Sequence, residues 1–406
     1  GADAGDALTS GYNNVLMGPN AGGAITTGYN NVAIGPQGVG DAITDGTHNI
    51  LVGSNNCGGA INSGDKNVAM GGSALEQVTT GDGNIAIGYN SGQGNTGADY
   101  NTTVGYGAGD LTGAGNTAIG KGTLSGNGDG TYNVGLGYEA GNDISTGDYN
   151  VAVGAYALDA EDTGNRNTAV GYQALTDLNY NGDGYSTAIG YMAGANATTG
   201  IENTFVGANS GVNVTTGDFN TIVGIAAGAN GGDVDRTVLI GTQAGANQTM
   251  TADADGTVAV GYYAGFNIKT GRYNTAIGYE AFKTATELDS NTAIGYKALT
   301  GMSGSAGSTY GGHTAVGYLA LSSSYGCEPN TAVGYKALQN NTTGYNNASF
   351  GMECLRINTT GNRNTAVAGY GALLANTTGY LNTAVGHEAL YYNTEGHNNT
   401  AVGYAS

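Results

Sequence analysis

The sequence predicts an all-β fold: a repetitive β-roll or β-solenoid of about 23 rungs with a 17-residue period, assembled as a homotrimeric rod. Three observations carry this. The phrase Asn330-Thr331-Ala332-Val333-Gly334-Tyr335 opens the unit NTAVGYKALQNNTTGYN, and Asn347 then starts it again 17 residues later. Glycines that close the phrase recur from Gly18 to Gly403 in 23 copies, mostly 17 residues apart, with 15, 18, 19, 20 and 22 as exceptions. Apolar residues hold a fixed phase within the unit. The common helical repeats need roughly 33 residues or more, so a unit this short makes one turn of a solenoid, with two brief strands and two turns.

The strand comes first. Thr331 and Val333 share parity and Ala332 has the opposite parity, and successive side chains of a strand point to opposite faces. The third apolar slot is nearly always Val or Ile, as at Ile34, Val52, Ile87, Val104, Ile119, Val153, Val170, Ile189 and Val223. Two places earlier stands Val or Ile near the N-terminus (Val15, Val32, Ile50, Val68, Ile85) and mostly Thr later (Thr168, Thr204, Thr275, Thr331, Thr383). β-Branched residues suit a pleated surface. Stacked copies of one slot form ladders that bury a face no single rung could bury. The small central slot (Ala33, Ala152, Ala169, Ala276, Ala384) leaves room for another surface, and it is expected to face a neighbouring chain.

The turns follow. Gly closes the phrase, and a second Gly recurs after paired threonines, as in Thr26-Thr27-Gly28, Thr215-Thr216-Gly217, Thr342-Thr343-Gly344 and Thr377-Thr378-Gly379. Both are expected at positive φ, which Gly adopts without steric cost. Asn opens the phrase, tolerates left-handed backbone and can bond to the rungs above and below. Asn31, Gly35, Asn150, Gly154, Asn274, Gly278, Asn330 and Gly334 are therefore read as a structural turn ladder, not as ligand contacts.

Length alone suggests two or three domains, but the repeat argues for a single continuous array over residues 1–406. Charged residues make up 10% and Gly numbers 77. A disordered tract of that composition would need no Val or Ile at a fixed phase. Net charge is −20, with 11 scattered Lys and Arg. That excludes a basic face for nucleic acid and disfavours anionic membranes. Cys57, Cys327 and Cys354 are odd in number and widely spaced, which argues against a disulfide framework. No run reaches the length of a transmembrane helix. The chain starts at Gly1 without Met and stops within a repeat at Ser406, so a segment of a longer fibre chain is expected.

Along the chain, Pro19 and Pro36 follow the closing Gly in early rungs, and Tyr follows it later, from Tyr89 to Tyr404. A recurring aromatic reads as packing, at an edge of the roll or between chains. As a functional alternative it offers flat platforms for sugars or proteins. Three rungs swell with small polar residues: Asn181 to Tyr185, Thr251 to Gly256, and Ser303 to Tyr310. Insertions in repeat proteins map to one face, often the binding face. Asn181, Asp183, Tyr185, Asp253, Asp255 and Tyr310 are thus the candidate receptor contacts. Asp253-Ala254-Asp255-Gly256 has the flavour of a calcium loop but lacks the full signature. His48, His313, His387 and His397 sit in turns of separate rungs and read as solvated. No catalytic residue, metal site or cofactor is expected, and the chain reads as a non-enzyme.

The strings NTAVGYKAL and NNTTGYNN resemble repeats of bacteriophage tail-fibre proteins, often found upstream of a self-cleaving endosialidase-type chaperone domain. They are also similar to the shorter NSVAIG-type repeats in the head domains of trimeric YadA-like adhesins. The resemblance covers almost the whole chain. It implies a trimer of intertwined β-rolls with no catalytic residues in the repeat. The function it implies is a structural and adhesive virion fibre, attaching to a host surface glycan or protein and joined to other virion tail proteins. Neither nucleic acid nor membrane insertion is implied. The alternative is a cell-surface trimeric adhesin or extracellular filament of a microbe. A polysaccharide-degrading enzyme would need an acidic pair, and an ice-binding solenoid would need regular Thr-x-Thr arrays.

Overall fold

The computed structural model describes residues 1–94, 96–126, 128–247, 249–302, 311–325 and 328–406. Two compact units divide the chain, Gly1–Glu202 and Asn203–Ser406. Each is a parallel β-solenoid. The first carries eleven strands, from Val15–Met17 to Thr187–Ile189, and the second carries twelve, from Thr204–Val206 to Thr400–Val402. Pairing is in register, slot on slot: Thr314, Ala315 and Val316 stand beside Thr331, Ala332 and Val333. The expected parity holds, since Ala332 is fully buried while Thr331 and Val333 lie on the outer face.

The rung departs from the expected two strands and has one. After Val333 the chain turns at Gly334, and Lys336 and Leu338 both adopt left-handed backbone, with φ of 54° and 52°. Alternation of left-handed residues forbids an extended run. Contact between rungs continues nonetheless: Lys336 N–H donates to the Tyr318 carbonyl at 2.8 Å, Leu338 N–H to Cys354 at 3.0 Å, and Thr342 N–H to Thr359 at 2.9 Å. Each rung thus spends its backbone polar groups on its neighbours.

Two expectations about the turns need correction. Gly334 does sit at φ 138°, where a β-carbon would run into the carbonyl of Gly351. Gly35, Gly154 and Gly278 repeat this, at φ 139°, 127° and 131°. Gly344 in the paired-threonine turn is not at positive φ; it is Gly because a β-carbon would strike the Gly361 carbonyl. The phrase-opening Asn is not left-handed either. That conformation falls on the residue before it, such as Asn30, Tyr149, Tyr273 and Asn346.

What the Asn does is bind rung to rung. Asn330 Nδ2 donates to the Gly344 carbonyl at 2.9 Å, and Asn330 Oδ1 accepts the N–H of Asn347 at 2.9 Å. Asn347 repeats this with Gly361 and Asn364 at 2.9 and 3.0 Å. The ladder recurs through Asn31, Asn150 and Asn274, each fully buried. Ser186, Thr237, Thr257 and His313 occupy the same slot in other rungs, which is why His313 is buried and not solvated. Its Nδ1 accepts the Asn330 N–H at 3.2 Å, as the Asn oxygen would. A second ladder, Asn341, Asn358, Asn376 and Asn393, joins side chain to side chain at 2.7 to 2.9 Å.

The central slot points into the solenoid's own core. Ala33, Ala152, Ala169, Ala276 and Ala384 are fully buried there, so they do not face a neighbouring chain. Their size follows from the residue six places on. Ala169, Ala276 and Ala332 pair with Leu175, Phe282 and Leu338, whereas Leu16, Phe205, Ile222 and Leu239 pair with Gly22, Gly211, Gly228 and Gly245. A β-carbon on Gly22 would lie 2.7 Å from Leu16, and one on Gly228 2.9 Å from Ile222. In these rungs one core site is filled from either side; where both sides are small, as at Ala86 with Gly92 and Ala259 with Gly265, Leu75 and Ile268 reach the space, each 2.8 Å from a β-carbon placed on the glycine.

One rung breaks the glycine pattern. Ala368 takes the stacking place beneath Gly351, and Gly369 is an extra residue, with no neighbour for a β-carbon within 4 Å. The strand runs on to Tyr370, and the register shifts between Phe350 and Met352. Such a bulge absorbs one added residue without disturbing the rungs beside it.

The size exchange makes a prediction. Ala332→Leu overpacks a full site and should cost about 1–3 kcal/mol. Leu338→Gly opens a cavity and should cost about 2–4 kcal/mol, less the relief of a left-handed Leu. The double variant, which copies Phe205 and Gly211 in kind, should recover at least about 1 kcal/mol of the summed loss. Hydrogen exchange of residues 331–350 measures each step, and strict additivity would refute the shared site. For the ladder, Asn347→Ala should strand the buried Asn364 N–H and cost about 2 kcal/mol. That amide should then exchange about 30-fold faster, and Asn347→Ser, by analogy with Ser186, should lose less.

Candidate functional site

The residues free to meet a partner stand in columns, because each solvent-facing slot of the rung is repeated by the next. The Tyr that follows the closing Gly forms one column. Tyr262, Tyr279, Tyr296, Tyr318 and Tyr335 stack with ring centroids 5.1–5.3 Å apart and planes within 17°. Tyr89 and Tyr106, and Tyr172 and Tyr191, do the same at 5.7 and 5.4 Å. Ring faces are therefore spent on one another, so a sugar meets edges and hydroxyls, not a flat platform. His387 belongs to this column, stacked on Tyr404 at 5.3 Å. Lys297 and Lys336 lie over Tyr296 and Tyr335 at 5.4 and 5.0 Å.

A second aromatic column precedes the buried Asn. Tyr132 and Tyr149 stack at 5.3 Å, Arg166 follows, and Tyr185 comes next. The Arg166 guanidinium lies 5.5 Å from the Tyr149 ring and 5.7 Å from the Tyr185 ring. Arg166 also pairs with Asp183, whose other oxygen accepts the Tyr185 hydroxyl at 3.2 Å. Two of the candidate contacts, Asp183 and Tyr185, are thus brought together around Arg166, and all three are exposed. Asn181 is exposed on the same insertion. The repeat could have pointed to Arg166, since it occupies the slot of Tyr149 one rung on. One slot further from the Asn, Tyr380 and His397 stack at 4.7 Å, and Tyr29 of that slot meets His48, which holds the Tyr149 slot, edge-on at 5.4 Å.

The second insertion behaves differently. Ala252–Ala254 forms a single 3-10 turn with Asp253 exposed. Asp255 is half-buried, and its carboxylate accepts the Asp235 N–H at 2.9 Å and lies 3.8 Å from Arg236. It braces the preceding rung, as Asp82 and Asp99 do for Asp65 and Asp82 at 2.7 and 2.8 Å. Among the described residues no group of three or more His, Cys, Asp or Glu is placed to hold a metal ion. Tyr310, the whole insertion Ser303 to Tyr310, and Cys327 lie outside the described residues.

Burial pushes the Cys57 thiol up to about 11, which keeps it protonated and inert. Concavities beside Glu388 and beside Glu76 each carry one side-chain carboxylate. Asp143 and Asp159 stand one rung apart; burial, and then the charges of Asp143 and Glu139, push Asp159 up to about 6. No helix is long and apolar enough to cross a membrane among the described residues.

Glu161 went unnoticed in the sequence because single acids are scattered through the loops. Alignment of the rungs places it in a core slot, with Ile144 one rung before and Leu178 one rung after. It is fully buried and accepts the Gly164 N–H at 2.7 Å. Burial pushes its carboxyl up to about 7. Folding therefore holds a proton that the unfolded chain releases near pH 4.5. Stability is fully present below that pH and falls as pH rises towards 7, by about 3 kcal/mol in all. Glu161→Gln should remove the larger part of the slope and leave the part that Asp159 contributes, measured as hydrogen exchange of residues 151–180 between pH 4.5 and 7.5; an equal slope in both proteins would refute it.

No family model matches the chain, and no curated protein matches it either.

Proposed function

We propose that the chain is a structural and adhesive fibre, the shaft and receptor-contact region of a virion tail fibre, which self-associates as a homotrimer and attaches to a host surface glycan or protein. The observation that carries this reading is the repetition itself. Buried Asn and stacked Gly commit almost every rung to joining its neighbours. Functional variety is left to exposed insertions such as Asn181 to Tyr185. An enzyme concentrates its chemistry in one convergent site; this chain spreads the same few side chains along its length. Other virion tail proteins are the partners at its ends, and the virion surface is its place.

A second reading, a cell-surface trimeric adhesin or extracellular filament, rests on the same architecture. Antibodies raised against the chain separate the two. Immunogold label on fibres projecting from virions is the expected result, and label confined to cell envelopes would favour the adhesin. The native mass should be three times the 40.3 kDa of one chain. A single-chain mass would count against both readings.

A further inference from the structure

We infer that the outer face of the strands is covered by a second copy of this chain, packed alongside with its ladder parallel and in register. The inference rests on the self-association proposed above and names the surface that performs it. Each of the 23 strands presents two outward positions, its first and third residues. Not one of these carries a charge, in a chain whose net charge is −20. The third is Val, Ile, Leu, Met or Phe in every strand, and the first is Val, Ile, Thr or, once, Ala. These residues are not in the core. Ile87, Ile119, Ile189, Ile277, Phe350 and Val385 are all 37–44% exposed. A solenoid needs no apolar outer face, because its core is already filled by the central slot and the far turn of the same rung.

Size points the same way. Two residues beyond the third slot, and so at most about 7 Å along the chain, runs the Tyr column. In the second unit, Tyr262, Tyr279, Tyr296, Tyr318 and Tyr335 are each 40–43% exposed. At roughly 200 Å² per aromatic side chain they leave about 400 Å² open. The outward Val, Ile and Phe of the same unit bring the open face to the order of 1,000 Å². The largest apolar patch on a typical monomer is about 300–600 Å². A stable interface takes about 800 Å² from each partner.

The period selects the occupant. Ridges and furrows on this face repeat at the strand spacing of about 4.8 Å. A surface that interdigitates with them over many rungs must carry the same period, and a second copy does so by construction. Acidic residues such as Asp65, Asp82 and Asp99 sit in turns, so the acid excess does not oppose this contact.

The test uses the full chain. With Ile277→Lys, Ile294→Lys and Val316→Lys together, the native mass should fall from that of the oligomer to 40.3 kDa, with the circular dichroism of the strands retained. An unchanged oligomer would overturn the proposed face while leaving self-association standing. A wild-type protein that itself runs as one chain would overturn self-association and this inference with it. Should the lysine variant misfold, cysteine pairing decides. In a Cys327→Ser background, Val333→Cys should form an interchain disulfide on oxidation and Asn181→Cys should not. Absence of the Val333→Cys bond in an oligomeric protein would overturn the inference.

Discussion

Close approach of one rung to the next is the constraint on which the rest depends. The buried Asn amide enforces it. Its oxygen takes the N–H of the next Asn while its nitrogen gives to the carbonyl of the next turn, so both ends of the side chain are used on one neighbour. An amide does this because it carries donor and acceptor together. Once the rungs are held at that distance, a side chain has no room where backbone stacks on backbone. Gly334 and Gly344 are both consequences, one with positive φ and one without. Leaving such an amide unpaired in the core would cost more than the bond contributes, so the ladder is selected against interruption as much as for its strength.

The core obeys a looser rule, and its looseness is informative. In many rungs one volume is filled by either the strand centre or the far turn, and where both are small, as at Ala86 and Gly92, a neighbour such as Leu75 reaches in. Leu338 tolerates a left-handed backbone because Ala332 leaves the space for it; Gly211 yields because Phe205 has already taken that space. Glu161 shows how far substitution can go. A slot that holds Ile144 one rung earlier accepts a carboxylic acid that finds the Gly164 N–H, at a cost that grows as the acid loses its proton. Neighbouring rungs shield the change, since each interacts only with the ones beside it.

Outside the core, repetition turns single side chains into columns, and columns change what a side chain can do. A lone exposed Tyr offers a face; a stacked Tyr offers an edge. Arg166 between Tyr149 and Tyr185, with Asp183 across from it, is the one described insertion where a charged pair and two rings converge. The strand face is different in kind, being uncharged throughout and broader than a monomer surface usually carries.

The period, the strand phase and the solenoid were legible from residues alone, because a 17-residue unit repeated 23 times leaves few ways to bury Val and Ile. The Asn and Gly columns were legible as scaffold for the same reason. What a repeat cannot announce is which side of a strand is inside. Ala169 looked like a gap left for another chain, and tertiary packing made it the core partner of Leu175. Parity separates the faces without saying which one is buried; that depends on where the far turn of the same rung returns. The burial of His313 and the raised carboxyl of Glu161 were settled in the same way, by the slot each occupies and the rungs on either side.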